Sequence, residues 1–219
     1  MLSQLSNLME HNKRWANRTE ASRPGFFQSL LAQQAPEYLW IGCADSRVPA
    51  NELVGLQPGE LFVHRNIANV VSHSDLNCLS CIQYAVDVLR VRHIIVVGHS
   101  RCGGVLAALE QSRIGVADNW ILHVREVIDR HEDLLGRVRT LARVDVACEL
   151  NVLAQARNVC KSTTVQDAWA RGQSLAVHGW VYGLHDGLLK ATGFEVENAQ
   201  EVDQVYVRSV DKMYACHVG

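Results

Sequence analysis

Two short apolar runs, each ending in glycine and each breaking at once into chemically active residues, constrain this chain more than anything else in it. Tyr38-Leu39-Trp40-Ile41-Gly42 leads into Cys43-Ala44-Asp45-Ser46-Arg47, and His93-Ile94-Ile95-Val96-Val97-Gly98 leads into His99-Ser100-Arg101-Cys102-Gly103-Gly104. Runs of this length and composition, closed by turn-forming residues, read as buried strands running into loops. As parallel neighbours in one sheet they end at the same edge, where open α/β sheets place their ligands. Cys43, Asp45, His99 and Cys102 then converge, and two thiolates, an imidazole and a carboxylate form a set that tetrahedral Zn²⁺ accepts. Alone, Cys-x-Asp or His-x-x-Cys says little, because a strand cysteine is more often a small core residue than a ligand. The weight lies in the pair.

Length and charge set the frame. A chain of 219 residues fits one domain with a substantial core, here 1–219. A formal net charge of -2 gives no electrostatic case for nucleic acid or for an anionic membrane surface. No apolar run approaches the roughly 20 residues that span a bilayer, and residues 1–20 lack a signal-peptide core. Seven cysteines form an odd count without small-scaffold spacing, so free thiols in a reducing compartment, the cytoplasm, are expected.

Along the chain, Leu2, Leu5, Leu8 and Met9, with Trp15 further on, recur at helical spacing and predict an amphipathic first helix. Pro24-Gly25 breaks it, and Phe26 to Gln33 reads as a second, short one. A small helix or loop follows Val48-Pro49, then a strand at Leu61 to His64. A helix is expected over Asp75 to Arg90, with Ser74 or Asp75 as cap. Gly103-Gly104 opens a helix through Gln111; further helices are expected from Asp118 to Leu135, Asp145 to Val159, and over Val165 to Trp169 with Ser162 as cap. Ser174 to Val181 reads as a strand, and Gln204 to Val210 alternates like an edge strand near the C-terminus. The alternation of strand and helix predicts an α/β fold, a mostly parallel central sheet flanked by helices.

The two loop stretches resemble the zinc signatures of the β-class carbonic anhydrases. So do Gly59-Glu60-Leu61-Phe62-Val63-His64-Arg65-Asn66-Ile67-Ala68-Asn69 between them and His178-Gly179-Trp180-Val181-Tyr182-Gly183 later. The likeness includes motif order and is clearest from Leu30 to Lys190. It implies a zinc lyase in which Cys43, His99 and Cys102 hold Zn²⁺ and zinc-bound hydroxide attacks CO2 to give bicarbonate. Two thiolates already cancel the metal's charge, so the bound water should be less acidic than on a three-histidine site and activity should rise toward alkaline pH. It further implies a homodimer or homotetramer, with the helical arm 1–25 swapped onto a neighbouring subunit; packing on its own domain is the competing expectation.

Roles follow residue by residue from the same resemblance. Asp45 either takes the fourth zinc position or turns away to pair with Arg47, and the Asp–Arg pair orients the nucleophile and gates the site. In an extended segment Cys43, Asp45 and Arg47 share a face, and the arginine fork suits a bidentate carboxylate bond; the plain alternative is a surface ion pair worth ~0–1 kcal/mol. Gln34, Phe62 and Tyr84 match positions that touch substrate or line its pocket, and the Gly103 amide at a helix start suits an oxygen of substrate or product. Trp40, Arg65 and Tyr182 match the noncatalytic bicarbonate pocket of one bacterial subgroup, which implies inhibition by bicarbonate and a cooperative loss of activity below about pH 8. No histidine stands out as a proton shuttle. A CS2 or COS hydrolase on the same scaffold, a nucleotide-binding module and a structural zinc protein with Asp45 as permanent ligand are the rivals. A nucleotide site wants a glycine-rich loop where Cys43-Ala44-Asp45 stands.

Overall fold

The structure, a computed structural model, describes residues 2–32 and 34–218. The chain divides into two compact units, residues 1–34 and 35–219. In the first, α1 (Leu2–Ser22) and α2 (Phe26–Ser29) are joined at Gly25, whose φ of 81° is the left-handed turn that glycine adopts without cost. Trp15 packs edge-on against Phe27, with ring centroids 5.5 Å apart. Leu5, Leu8 and Met9 lie exposed, and the side chain of Leu2 is outside the described residues. The second helix stops at Ser29, short of its expected end at Gln33, which is itself outside the described residues.

The second unit is built on a five-stranded sheet in the order β2-β1-β3-β4-β5. Its strands are β1 (Tyr38–Cys43), β2 (Leu61–Asn66), β3 (His93–His99), β4 (Ala176–Tyr182) and β5 (Leu189–Val196). The first four are mutually parallel and β5 runs antiparallel at the edge. From β1 the chain goes to one side for β2 and to the other for β3, so the strand order reverses between β1 and β3. That reversal opens a crevice at the carboxyl ends of these two strands.

The helices are α3 (Ala50–Val54), α4 (Leu76–Gln83), α5 (Gly103–Glu110), α6 (Ala117–Arg130), α7 (Glu132–Arg137), α8 (Thr140–Lys161), α9 (Thr163–Ala170) and α10 (Val202–Val218). Leu39, Ile41, Ile94, Val96 and Val177 point from one sheet face into the main core, where α8 packs across β3 and β4. Alternate residues Trp40, Ile95 and Val97 form a smaller cluster on the other face with Val48 and Ala50.

Several expected elements differ in detail. Asp75 does cap α4, accepting from the Asn77 N–H at 3.1 Å, but the helix passes into a π turn at Tyr84–Val88. The helix expected from Asp118 to Leu135 is broken at His131 into α6 and α7. Ser162 stands at the N-cap of α9, yet its hydroxyl donates back to the Val159 carbonyl at 2.7 Å. The expected strand at Gln204 to Val210 is wrong: it lies inside α10. Its buried residues Val202, Val205, Ser209, Val210 and Met213 follow the helical period, while Val207, an alternate position, is exposed. The edge strand near the C-terminus is β5.

Candidate metal centre at the carboxyl edge of the sheet

Cys43 ends β1 and His99 ends β3, on the two sides of the crevice; Cys102 stands at the N-cap of α5. All three are buried, their donor atoms lie within 4.8 Å of one another, and the two sulfurs are 3.9 Å apart. Zn–S bonds of about 2.3 Å at a tetrahedral angle put two sulfurs about 3.8 Å apart, so the pair is spaced for one shared ion. His99 Nδ1 donates to the Ser100 carbonyl at 3.0 Å, which leaves the lone pair on Nε2. That Nε2 is buried without a partner among the described residues. An imidazole oriented by its Nδ1–H, with a bare Nε2 facing two sulfurs, is the arrangement that metal-ligating histidines adopt. The residues present fit a zinc ion.

The two sulfurs lie within hydrogen-bonding distance of each other. That bond, with His99 and the backbone of Asp45 and Ala68, lowers the Cys43 thiol well below its ordinary value against burial. The same bond, burial and the neighbouring charge push Cys102 up.

Asp45 is turned to Arg47. The guanidinium grips it bidentately, Nε to Oδ1 at 2.9 Å and Nη2 to Oδ2 at 2.7 Å, and the Arg47 backbone N–H adds 2.9 Å to Oδ1. These bonds hold the carboxyl well below the usual carboxylate range. Asp45 Oδ2 lies 3.7 Å from His99 Nε2. The carboxylate therefore borders the donor set while committed to arginine.

Of the other expected site residues, Phe62 and Tyr84 come together, with ring centroids 5.9 Å apart. Gly103 opens α5 with open space where a side chain would stand. Gln34 is exposed at the end of the first unit. Trp40 and Tyr182 share the smaller apolar cluster, but Arg65 is engaged elsewhere. Its Nε donates to the Cys43 carbonyl at 2.8 Å and its Nη2 to the Asp45 carbonyl at 2.5 Å. That bracing of the Cys43–Asp45 loop was not legible from sequence, since nothing local links Arg65 to carbonyls some twenty residues away. A second group, His64, Asp75 and Cys78, also comes within 4.8 Å. Its members already have structural roles: Asp75 caps α4, and Asn66, locked by the Val70 N–H and C=O, presents its amide nitrogen to His64 Nε2 at 3.3 Å.

An open, mostly parallel sheet with a buried Cys–His–Cys set at its switch point defines the class: an α/β protein shaped to hold one soft divalent ion at its ligand-binding edge. Residues 38–189 match the family model described as carbonic anhydrase. A carbonic anhydrase of Emericella nidulans is 47% identical over 184 residues, covering 84% of this chain and 81% of that protein. The Coccomyxa β-carbonic anhydrase, solved with acetazolamide, superposes with a TM-score of 0.87 at 45% identity, covering 91% of each chain. One of two tetrameric β-carbonic anhydrases of the ascomycete Sordaria macrospora gives 0.84 at 40% identity, covering 89% of this chain and 99% of that one. The chain belongs to the β-class carbonic anhydrases.

Proposed function

We propose that this enzyme hydrates CO2 reversibly to bicarbonate and a proton with a zinc ion held by Cys43, His99 and Cys102. The observation that carries the reading is the bare, buried His99 Nε2 beside two sulfurs 3.9 Å apart, with Asp45 turned away to Arg47. Zinc bound there supplies Lewis acidity, lowering the pKa of water enough to provide a nucleophile for CO2. The chain's own groups do the rest. Asp45, kept ionised by Arg47, accepts a hydrogen bond from the nucleophile and aims it. The Gly103 N–H, at the start of α5, donates to an oxygen of substrate or product. Phe62 and Tyr84 supply an apolar wall for an uncharged substrate, and Gln34 donates to it.

Asp45 would be the residue to take the fourth position on a bound zinc, closing the site, if it released Arg47, a reading supported by the 3.7 Å between Asp45 Oδ2 and His99 Nε2. The bicarbonate pocket of the bacterial subgroup is carried here by Trp40, Arg65 and Tyr182. Bicarbonate bound there competes with the Cys43 and Asp45 carbonyls for the Arg65 guanidinium, loosens that loop and favours the closed state. The assembly is a homodimer or homotetramer, the arm 1–25 packing on a neighbour through exposed Leu5, Leu8 and Met9. No described helix is long and apolar enough to cross a membrane. The compartment we propose is the cytoplasm, where all seven cysteines stay free as they are in the structure.

Stopped-flow CO2 hydration by zinc-quantified protein, scanned from about pH 6.5 to 9, tests this. Activity at one zinc per chain, rising steeply with pH, is expected, and Asp45→Asn should lose at least about a hundredfold while keeping its zinc. Zinc without hydration at any pH would point to the structural or CS2-hydrolase alternatives.

A further inference from the structure

Helix α8 carries three amides, Asn151, Gln155 and Asn158, spaced so that they line one face. Asn151 and Gln155 are 1% exposed, in a helix whose neighbouring turns bury Leu150, Val152, Leu153 and Val159. Buried amides need partners, and these spend their groups on one loop and on each other. Asn151 Nδ2 donates to the Ala68 carbonyl at 2.8 Å, and Gln155 Oε1 accepts from the Val71 N–H at 2.8 Å. Asn158 Nδ2 donates to the Val71 carbonyl at 2.9 Å, and Gln155 Nε2 donates to Asn151 Oδ1 at 2.9 Å.

The loop they hold is strained. Ala68 and Asn69 both sit in the left-handed region, at φ 60° and 46°, which L-residues avoid unless their surroundings enforce it. It also touches the segment of every donor. The Ala44 N–H, one residue after Cys43, donates to the Asn66 carbonyl at 2.8 Å, just where the loop begins. Asn69 Oδ1 lies 3.4 Å from where a Cβ on Gly98 would stand, one residue before His99. Ile67 Cγ2 and Ala68 Cβ lie 2.9 and 3.3 Å from the same point on Gly104, two residues after Cys102.

We propose that the amide row of α8 is the positioning device of the metal centre: by locking the loop 67–71, with Ala68 and Asn69 left-handed, it sets the spacing of Cys43, His99 and Cys102. Asn151 is its key positioning residue, acting through Ala68 without touching the reacting atoms. The inference rests on the zinc reading of those three ligands.

The test compares full-length wild type and Asn151→Leu, which keeps the fork at Cγ and removes both hydrogen bonds, each loaded with zinc and separately with cobalt(II). Zinc transfer to a colorimetric chelator should run about tenfold faster or more in the variant. The thiolate-to-cobalt charge-transfer band should shift or weaken. Leu134→Ala, a core truncation on α7, should lower the melting temperature and leave zinc release and the cobalt band as in wild type. Asn151→Leu with wild-type release and spectrum overturns the proposal. If that variant does not fold, Asn158→Ala at the half-buried end of the row decides: several-fold faster zinc release supports the proposal, and wild-type behaviour overturns it. A wild type that takes up neither metal overturns the zinc reading itself, which separates that failure from one in which wild type and variant hold zinc equally well.

Discussion

Arg47 reaches Asp45 with two side-chain donors and one backbone donor, and it lies at the surface while Asp45 is mostly covered. In stability an exposed pair of this kind counts for little. Its value lies in direction: the fork holds both carboxylate oxygens while Oδ2 stays 3.7 Å from the buried His99 Nε2. Arg47→Gln should therefore keep zinc and fold while CO2 hydration falls by about a hundredfold or more. Arg47→Lys should recover only part, because a lysine cannot supply two parallel donors; metal analysis beside stopped-flow rates checks both. Acid should not break the pair early, since the carboxyl is held well below its ordinary range and stays ionised as the pH falls. Cys43, His99, Cys102 and the Asp45–Arg47 pair were legible in sequence because the chemistry of each sits within a few residues of a strand end. The bracing by Arg65, which the sequence marked only for a bicarbonate pocket, was not, because its carbonyl partners are reached across the sheet edge.

Strand β3 and helix α8 approach closely at one point, and the reason is Gly98. A Cβ there would stand 2.5 Å from Val152 Cγ2 and 3.5 Å from the Cys148 carbonyl. Val152 has little rotamer freedom on a helix to move aside. Gly98→Ala should cost about 1–3 kcal/mol by overpacking, seen as a lower denaturant midpoint with an unchanged slope. Val152→Ala in the same chain should restore much of that loss, and an additive double mutant would place the strain elsewhere. Periodicity read most of these elements correctly where a segment was long or its edge was marked by a turn or cap, as in β1, β3 and α5. It failed at Gln204 to Val210, where a seven-residue window of Val, Tyr and Arg satisfies period two as well as period 3.6. Only the buried positions from Val202 through Met213 separate the two. The amide row of α8 was missed for a related reason: Asn151, Gln155 and Asn158 are visible in the sequence, but polar residues at helical spacing look like a solvated face until packing buries them.

Across the whole molecule, half-buried histidines tie distant parts of the fold together and give its stability a pH dependence of one sign. His178 on β4 bonds to His93 on β3 at 3.1 Å, and His131 before α7 bonds to the Tyr206 hydroxyl on α10 at 2.9 Å. Burial lowers the pKa of His178, with Glu195 and Glu197 opposing and His93 adding to the shift. Burial likewise lowers His131, helped by Arg130, and lowers His64 against Asp75. A histidine whose folded pKa lies below its ordinary 6.5 binds fewer protons folded than unfolded in the interval between the two values. Its stabilising contribution is therefore complete above 6.5 and drains away as the pH falls through that interval. Glu149 works in the opposite sense, burial raising its carboxyl above 4.5. The melting temperature should accordingly drop as the pH falls below about 6.5. His131→Gln with His178→Gln, which keeps amide groups facing Tyr206 and His93, should flatten that drop even if it lowers stability at pH 7.5. A double variant with the wild-type slope would assign the acid sensitivity to other groups, and His64, buried beside Asn66 two residues along the same strand, would be the next to change.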